Sequence, residues 1–162
     1  MADVFGRAKR SRVMAAIRSV GNRTTERALA AAFRRLGLKG WRRHVSLPGK
    51  PDFVFLKARL AVFVDGCFWH GCPKHGHWPK TNRRYWRRKL RRNAERDRAM
   101  TRELVRRGWR VVRVWEHDVK RMPAVCAAKV AKALFRDKLS GSRASRSSSP
   151  VSVQREAASP RD

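Results

Sequence analysis

The chain has 162 residues, of which 41 are Lys or Arg and 12 are Asp or Glu, so its formal net charge at pH 7 is +29. A positive charge of this size predicts a polyanionic partner such as nucleic acid, while a hydrophobic content of 42% argues against a wholly disordered basic protein. No apolar run approaches the ~18 residues of a membrane span, no signal peptide is expected, and three cysteines do not suggest a disulfide framework, so we expect a protein of the reducing cytoplasm.

The basic N-terminal segment, residues 1–20, carries apolar residues at the spacing of one helical face. In the simpler interpretation, Val13, Ile17 and Val20 pack on the body of the protein. In the alternative, the segment is an arm that lies on DNA, with Met14 and Ile17 as apolar wedges. These residues by themselves favour the packed helix.

Residues 24–36 predict the first helix of the folded body. Thr24 is a plausible N-cap, Glu26 lies in the first turn where the helix dipole favours an anion, and Gly37 ends the helix. Glu26 either serves only the dipole or faces a metal site beside the helix.

Three strands are predicted next, at residues 41–45, 52–56 and 60–64. The third, LAVFV, is apolar without alternation, which indicates a central strand covered on both faces. Asp52 and Asp65 are placed to lie at one edge of this sheet. Carboxylate oxygens there would bind Mg²⁺, which stabilises the charge of phosphodiester cleavage and lowers the pKa of an attacking water.

The loop at residues 66–80 has the side chains of a zinc site. Cys67, Cys72 and His75 supply three ligands at suitable spacing. The fourth ligand is His117, if the sheet returns it to the loop, or His77. The alternative is scattered Cys and His without a metal, but so short a loop would gain most from a metal staple.

A catalytic histidine is available in the same loop. His70 could act as general base if a carboxylate orients it, and Asp97 and Glu95 on the next helix are the candidates. The competing interpretation is that Asp97 only forms surface salt bridges with Arg96 and Arg98.

A long helix at residues 82–107 is predicted, with Asn82 as its N-cap and Gly108 as its stop. Basic residues of one sign crowd its first half, and their mutual repulsion indicates phosphate contact. Phe68, Trp69 and Trp86 are core residues by default. They would instead stack into an opened base step if the loop approaches DNA.

The remaining segments are a strand at residues 109–115, a closing helix at 118–137, and a Ser/Arg-rich tail at 140–162 that should be disordered. Pro123 lies either in the first turn of the closing helix or at its true start. Cys126 on the closing helix is expected to be a small buried side chain. This order of elements predicts an α/β fold with a mixed sheet flanked by helices.

The chain resembles the very short patch repair (Vsr) mismatch endonucleases over residues 1–118. The similarity lies in the blocks MADV, SRVMAAIRS, TERALA, SLPGKPDFV, GCFWHGCPKH, TNRRYW, RNAERDR and GWRVVRVWE. It implies a restriction-endonuclease-like fold of the PD-(D/E)XK type, a mixed central sheet flanked by helices with a zinc-stabilised loop. The chain would then divide into a DNA-contacting arm at 1–20, a catalytic domain at 21–139 and the tail at 140–162.

The resemblance also implies an activity. The family nicks one DNA strand, with Mg²⁺, immediately 5′ of the T in a G:T mismatch, which arises when 5-methylcytosine deaminates. We therefore expect a monomer at the bacterial nucleoid that binds double-stranded DNA with a G:T mismatch, with mismatch-repair and polymerase proteins as candidate partners. The competing hypotheses are a related nuclease without G:T selectivity and a basic zinc-stabilised DNA-binding module without catalysis.

The resemblance assigns roles to the acidic residues and the histidine. Asp52 matches the metal-binding aspartate, His70 the general base, and Asp97 the acidic residue that supports it. Glu26 matches an acidic residue near the site. Asp65 stands where the best-known member has histidine, so its expected role is Mg²⁺ binding, direct or through water.

The other matched positions concern DNA and zinc. Aromatic wedges beside the mismatch match Phe68, Trp69 and Trp86, and the DNA-contacting arm matches Met14 and Ile17, which reverses the preference for a packed helix. The zinc ligands match Cys67, Cys72, His75 and His117. His117 replaces a cysteine of the family, so His77 stays open as the fourth ligand.

Overall fold

The structure, a computed structural model, describes residues 23–76 and 82–141. The predicted arm with Met14 and Ile17, the rival zinc ligand His77, and residues 142–162 of the tail lie outside the described residues. The elements in chain order are α1 (Arg23–Arg35), β1 (Trp41–Arg42), β2 (Phe53–Phe55), β3 (Leu60–Asp65), α2 (Arg83–Arg106), β4 (Arg110–Trp115), α3 (Glu116–Arg121) and α4 (Pro123–Gly141).

Within residues 23–76 and 82–141, four strands form one mixed sheet in the order β1-β2-β3-β4. The pairs β1/β2 and β2/β3 are antiparallel, as short connections allow, and β3/β4 is parallel. A parallel pair needs a long crossover, which α2 supplies. The mixed sheet with flanking helices confirms the predicted α/β class and fits a restriction-endonuclease-like fold.

The central strand β3 is covered on both faces, as its uninterrupted apolar sequence predicted. Leu60 and Val62 belong to the large core formed with α1, α3 and α4, whereas Ala61 and Phe63 belong to a smaller core with Leu104 of α2. Burying each large side chain of this kind contributes about 1.5–3 kcal/mol relative to exposure. Packing on both faces therefore fixes the position of β3, the strand that ends at Asp65.

Several predicted boundaries were wrong. The strand at 41–45 ends at Arg42, and His44 has φ 56°, a left-handed conformation that takes the chain out of the sheet. The segment predicted as one closing helix is two helices that meet at Met122, because Pro123 disfavours helical geometry in the residue before it. Pro123 is the first residue of the second helix, which confirms one of the two alternatives for this proline. The second of them extends through Gly141, beyond the end predicted at residue 137.

The ends of the longer helices agree better with the sequence. Gly37 (φ 66°) and Gly108 (φ 76°) follow α1 and α2 in the left-handed conformation that ends a helix. Asn82 stands at the N-cap of α2, as predicted, and its side chain makes no capping hydrogen bond. Among the described residues, no helix is long and apolar enough to cross a membrane.

Candidate active site and metal centre

Asp52 lies directly before β2 and is fixed against β3 at two points. Its N–H donates to the carbonyl of Val62 (3.0 Å), and its Oδ2 accepts from the N–H of Val64 (2.7 Å). Burial raises the pKa of the Asp52 carboxyl, and the neighbouring charge of Asp65 raises it further, whereas the hydrogen bond from Val64 acts in the opposite direction. The hydrogen bond to Val64, the residue before Asp65, places Asp52 at the end of β3, so the two acids lie at one edge of the sheet as predicted.

Asp65 ends β3 and is held by Arg113 of β4. Nε of Arg113 donates to Oδ2 (2.7 Å) and Nη2 donates to Oδ1 (2.6 Å), a two-pronged ion pair with a carboxylate that is 6% exposed. Each carboxylate oxygen has a second lone pair, so this pairing still allows a water or a cation. Binding of Mg²⁺ by Asp65 stays a prediction.

His70 is oriented by Asp97. The Nδ1 atom of His70 lies 2.6 Å from Oδ2 of Asp97 and 3.8 Å from Oδ1 of Asp65. An ionised Asp97 accepts from Nδ1–H, which leaves Nε2 as the ring atom that can take a proton. Glu95 was the wrong alternative, because it pairs with Arg91 on the exposed side of α2 (2.8 Å).

Glu26 and Asp52 line the same cavity. This cavity of about 280 Å³ lies between α1 and the loop that follows β1, and His44, Ser46 and Lys50 also line it. Glu26 is 3% exposed and forms an ion pair with Arg43. The structure thus places Glu26 near Asp52. The position of Glu26 in the first turn of a helix did not by itself require this.

The four predicted cysteine and histidine ligands come together beside this acidic group. The ligand atoms of Cys67, Cys72, His75 and His117 all lie within 4.8 Å of one another. The Nδ1 atom of His117 is 3.2 Å from Sγ of Cys67 and 3.6 Å from Sγ of Cys72. Zinc–ligand bonds of 2.0–2.3 Å at tetrahedral angles give sulfur–nitrogen separations of about 3.6 Å, so these residues fit a Zn²⁺ ion.

The ring of His117 is itself held from behind. Its Nε2 lies 3.1 Å from Oδ1 of Asp118, which turns Nδ1 toward the two sulfurs. This is the carboxylate–histidine arrangement that commonly supports a metal ligand. Burial raises the pKa of the Cys67 thiol, and a bound divalent cation would act in the opposite direction by favouring the thiolate.

Short backbone hydrogen bonds shape the loop that carries these ligands. The N–H of Cys72 donates to the carbonyl of Cys67 (2.9 Å), and the N–H of Gly76 donates to that of Cys72 (2.7 Å). A Cβ at Gly76 would lie 2.4 Å from the Cys72 carbonyl oxygen, so only glycine fits there. The loop is compact enough to bring His75 back to Cys72, where Sγ and Nδ1 are 4.0 Å apart.

The aromatic residues of the loop pack against α2. Phe68 contacts Trp69 and Trp86 edge to face, with ring centroids 4.9 and 5.3 Å apart, and the Trp69 carbonyl accepts from Nδ2 of Asn93 (3.1 Å). Trp86 is 8% exposed, whereas Phe68 and Trp69 are half-buried. The three form one cluster next to His70, and their insertion into DNA stays a prediction.

Four side chains of the site were not found from the sequence. They are Arg43, Asn93, Arg113 and Asp118. Only Arg113 could have been noticed in the sequence, because it is a charged residue within the apolar strand WRVVRVW. Its neighbours Val112 and Val114 are buried. Because side chains alternate along a strand, Arg113 points to the opposite face, toward α2 and Asp97.

Comparison with known proteins was made against families and individual sequences. A family model described as DNA mismatch endonuclease Vsr matches residues 2–77. The type II nicking enzyme V.NaeI of Lentzea aerocolonigenes is 49% identical over 116 residues, covering 68% of this chain and 69% of that protein. The type II nicking enzyme V.NmeDIP of Neisseria meningitidis serogroup C is 42% identical over 136 residues (80% and 88%). The DNA mismatch endonuclease Vsr of Escherichia coli K12 is 40% identical over 121 residues (72% and 74%).

Proposed function

Since the chain belongs to the Vsr family of DNA mismatch endonucleases, we propose that it nicks one strand of double-stranded DNA immediately 5′ of the T in a G:T mismatch. Such a nick would begin very short patch repair after deamination of 5-methylcytosine. The observation that carries the proposal is the 2.6 Å contact between His70 and Asp97 beside the carboxylates of Asp52 and Asp65. A general base, its orienting acid and two carboxylates able to bind Mg²⁺ are groups that can carry out phosphodiester hydrolysis.

In this mechanism His70 handles the proton. Asp97 fixes the imidazole ring so that Nε2 faces the attacking water. Nε2 takes the proton of that water, and the Asp97 carboxylate stabilises the resulting imidazolium. Asp52 and Asp65 would hold Mg²⁺. Glu26, which lines the same cavity as Asp52, would reach the ion through a water molecule. The bound ion would stabilise the developing phosphate charge and lower the pKa of the water.

The cysteine and histidine cluster would hold a structural Zn²⁺. Four protein ligands fill a tetrahedral zinc and leave no position open for substrate, which favours a structural role over a catalytic one. The ion would connect the loop that carries His70 and Trp69 to His117 beyond β4. Zinc thus acts on catalysis only through the position of that loop.

The DNA contacts follow from charge and aromatic side chains. The arm at residues 1–20 and the basic first half of α2 would bind phosphates, and Phe68, Trp69 and Trp86 would fill the stack opened at the mismatch. The body at 21–139 is the PD-(D/E)XK-type catalytic domain in this proposal, acting as a monomer, and the tail at 140–162 adds nonspecific affinity.

The decisive assay is nicking of end-labelled duplexes with one G:T mismatch in a set of sequence contexts, with Mg²⁺ or with EDTA. A Mg²⁺-dependent cut 5′ of the T, absent on the matched G:C duplex and absent for Asp52→Asn, is the expected result. Equal cutting of both duplexes would replace the proposal by a nuclease without G:T selectivity. This alternative has support in relatives that are named nicking enzymes. Tight binding without cutting in any context would favour the hypothesis of a DNA-binding module without catalysis.

A further inference from the structure

We propose that Arg113 is a positioning residue for strand nicking, which holds Asp65 and Asp97 around His70. The inference rests on the proposed function and extends it to a residue that contacts neither of the expected metals. Arg113 would act through the two carboxylates rather than on DNA.

One guanidinium reaches both carboxylates that flank the histidine. Arg113 donates two hydrogen bonds to Asp65 (2.7 and 2.6 Å), and its Nη2 lies 3.8 Å from Oδ2 of Asp97. These carboxylates lie 3.8 and 2.6 Å from Nδ1 of His70. The four side chains thus form a closed group in which every member contacts at least two others.

Arg113 is itself fixed from three sides. Its guanidinium lies 4.8 Å from the centroid of the Phe63 ring, and Nη1 donates to Oγ1 of Thr101 (3.4 Å). Its backbone is in register with Phe63 in the parallel pair β3/β4. A planar fork held in this way sets the direction of the Asp65 carboxylate, which the single ammonium of a lysine cannot do.

The positive charge of Arg113 also allows the carboxylates of Asp65 and Asp97 to lie near each other beside His70. Its guanidinium forms an ion pair with Asp65 (2.6 Å) and lies 3.8 Å from Asp97, so it offsets the repulsion between the negative charges of these two carboxylates. Without this cation, Asp65 would turn its unpaired charge toward Nδ1 of His70 and compete with Asp97 for it. The ring would then lose its single orientation, and misplacement of a catalytic group by about 1 Å can cost about 100-fold in rate.

The test compares Arg113→Met, Arg113→Lys, Asp65→Asn and the double variant Arg113→Met/Asp65→Asn in single-turnover nicking at saturating enzyme. Arg113→Met should lower the rate about 100-fold with less than about threefold change in duplex affinity, and Arg113→Lys should recover part of the rate. Because Arg113 acts through Asp65, the double variant should be no slower than the slower single variant. Arg106→Met, which removes an exposed charge that pairs with Glu103, is the control and should keep the wild-type rate.

A second readout does not need activity. In ¹⁵N-histidine-labelled full-length protein, the Nδ1 proton of His70 should give a downfield resonance that His70→Ala identifies and that Arg113→Met shifts or broadens. An unchanged resonance, an unchanged Arg113→Met rate, or fully additive rate losses in the double variant would overturn the inference. If the wild-type chain does not nick, the proposed function fails and the resonance alone decides on Arg113. If Arg113→Met does not fold, Arg113→Lys decides, and a full wild-type rate for it is contrary to the inference.

Discussion

The contact between His117 and Asp118 offers a sharp test of the zinc site, because it changes no ligand. Asp118→Ala removes the carboxylate that lies 3.1 Å from Nε2 of His117 and leaves Cys67, Cys72 and His75 in place. The imidazole would become a weaker donor and its ring would be less firmly oriented. We therefore expect weaker zinc binding with an intact ligand set.

The exposure of the two side chains sets the size of the effect. Removal of such supporting groups typically weakens metal binding 10- to 100-fold. The Asp118 side chain is 38% exposed while that of His117 is 12% exposed, and solvent screening of the carboxylate places the expectation at the lower end. A tenfold loss is about 1.4 kcal/mol of binding free energy, which lowers Tm by about 3–8 °C when free zinc exceeds the dissociation constants of both variants.

The assay is competition for Zn²⁺ between the reduced full-length protein and a chromogenic chelator at pH 7, with Tm measured on the same samples. Asp118→Asn keeps a hydrogen-bond acceptor without the charge and should lie between wild type and Asp118→Ala. Glu95→Gln removes a carboxylate of α2 that pairs with Arg91, so it is the matched control and should bind zinc as wild type does. Equal zinc affinity of wild type and Asp118→Ala, or a wild-type chain that retains no zinc, would refute the reasoning.

Three further outcomes concern the nicking site. His70→Ala should slow nicking about 10²- to 10⁴-fold with duplex affinity kept, whereas Glu95→Gln keeps the rate; a parallel loss of binding would contradict the role as base. Asp52→Asn should abolish nicking. Because burial raises the pKa of Asp52, the folded protein binds that proton more tightly than the unfolded chain, so the free energy of unfolding falls as pH rises from the ordinary carboxyl pKa through the raised one. Urea unfolding in EDTA should show this fall in wild type and not in Asp52→Asn, and identical pH profiles would argue against it. Trp69→Ala should weaken binding to a G:T duplex by about 1–3 kcal/mol, measured by fluorescence anisotropy, and no loss would place Trp69 in the core alone.

The sequence was informative wherever the chemistry is local. Cys67, Cys72 and His75 lie within one short loop, so any compact fold keeps them near each other, and their types limit the bound ion to one that prefers sulfur and nitrogen. His70 is in the same loop for the same reason. The uninterrupted apolar run of β3 likewise required cover on both faces, which the structure shows.

Which histidine joins Cys67, Cys72 and His75 depended on strand pairing. In the parallel pair β3/β4, Asp65 is in register with Trp115, so Cys67 and His117 each lie two residues beyond the paired ends. A register shift by one residue would turn the residues after β4 to other faces. The sequence left His77 and His117 as alternatives, and the sheet brings His117 to the cluster.

The choice between two carboxylates on α2 was also decided by packing. Glu95 and Asp97 are two residues apart, and two residues turn a helix by about 200°, so they face nearly opposite directions. The burial of Trp86, Leu90 and Leu104 fixes the rotation of α2 and directs Asp97 to His70. The spacing of these residues places Asp97 on the apolar side of α2, but local sequence does not say that this side packs against the loop that carries His70.

The sequence by itself determined the kinds of chemistry available to this protein: a polyanion-binding charge, a zinc-type ligand set, a histidine and acidic residues beside an apolar central strand. Only the tertiary structure decided which acid serves the histidine, and that Arg113 joins Asp65 to Asp97. The physical reason is that residue types and short spacings survive in any fold. Contacts between residues 48 positions apart, as for Arg113 and Asp65, exist only once sheet register and helix rotation are set.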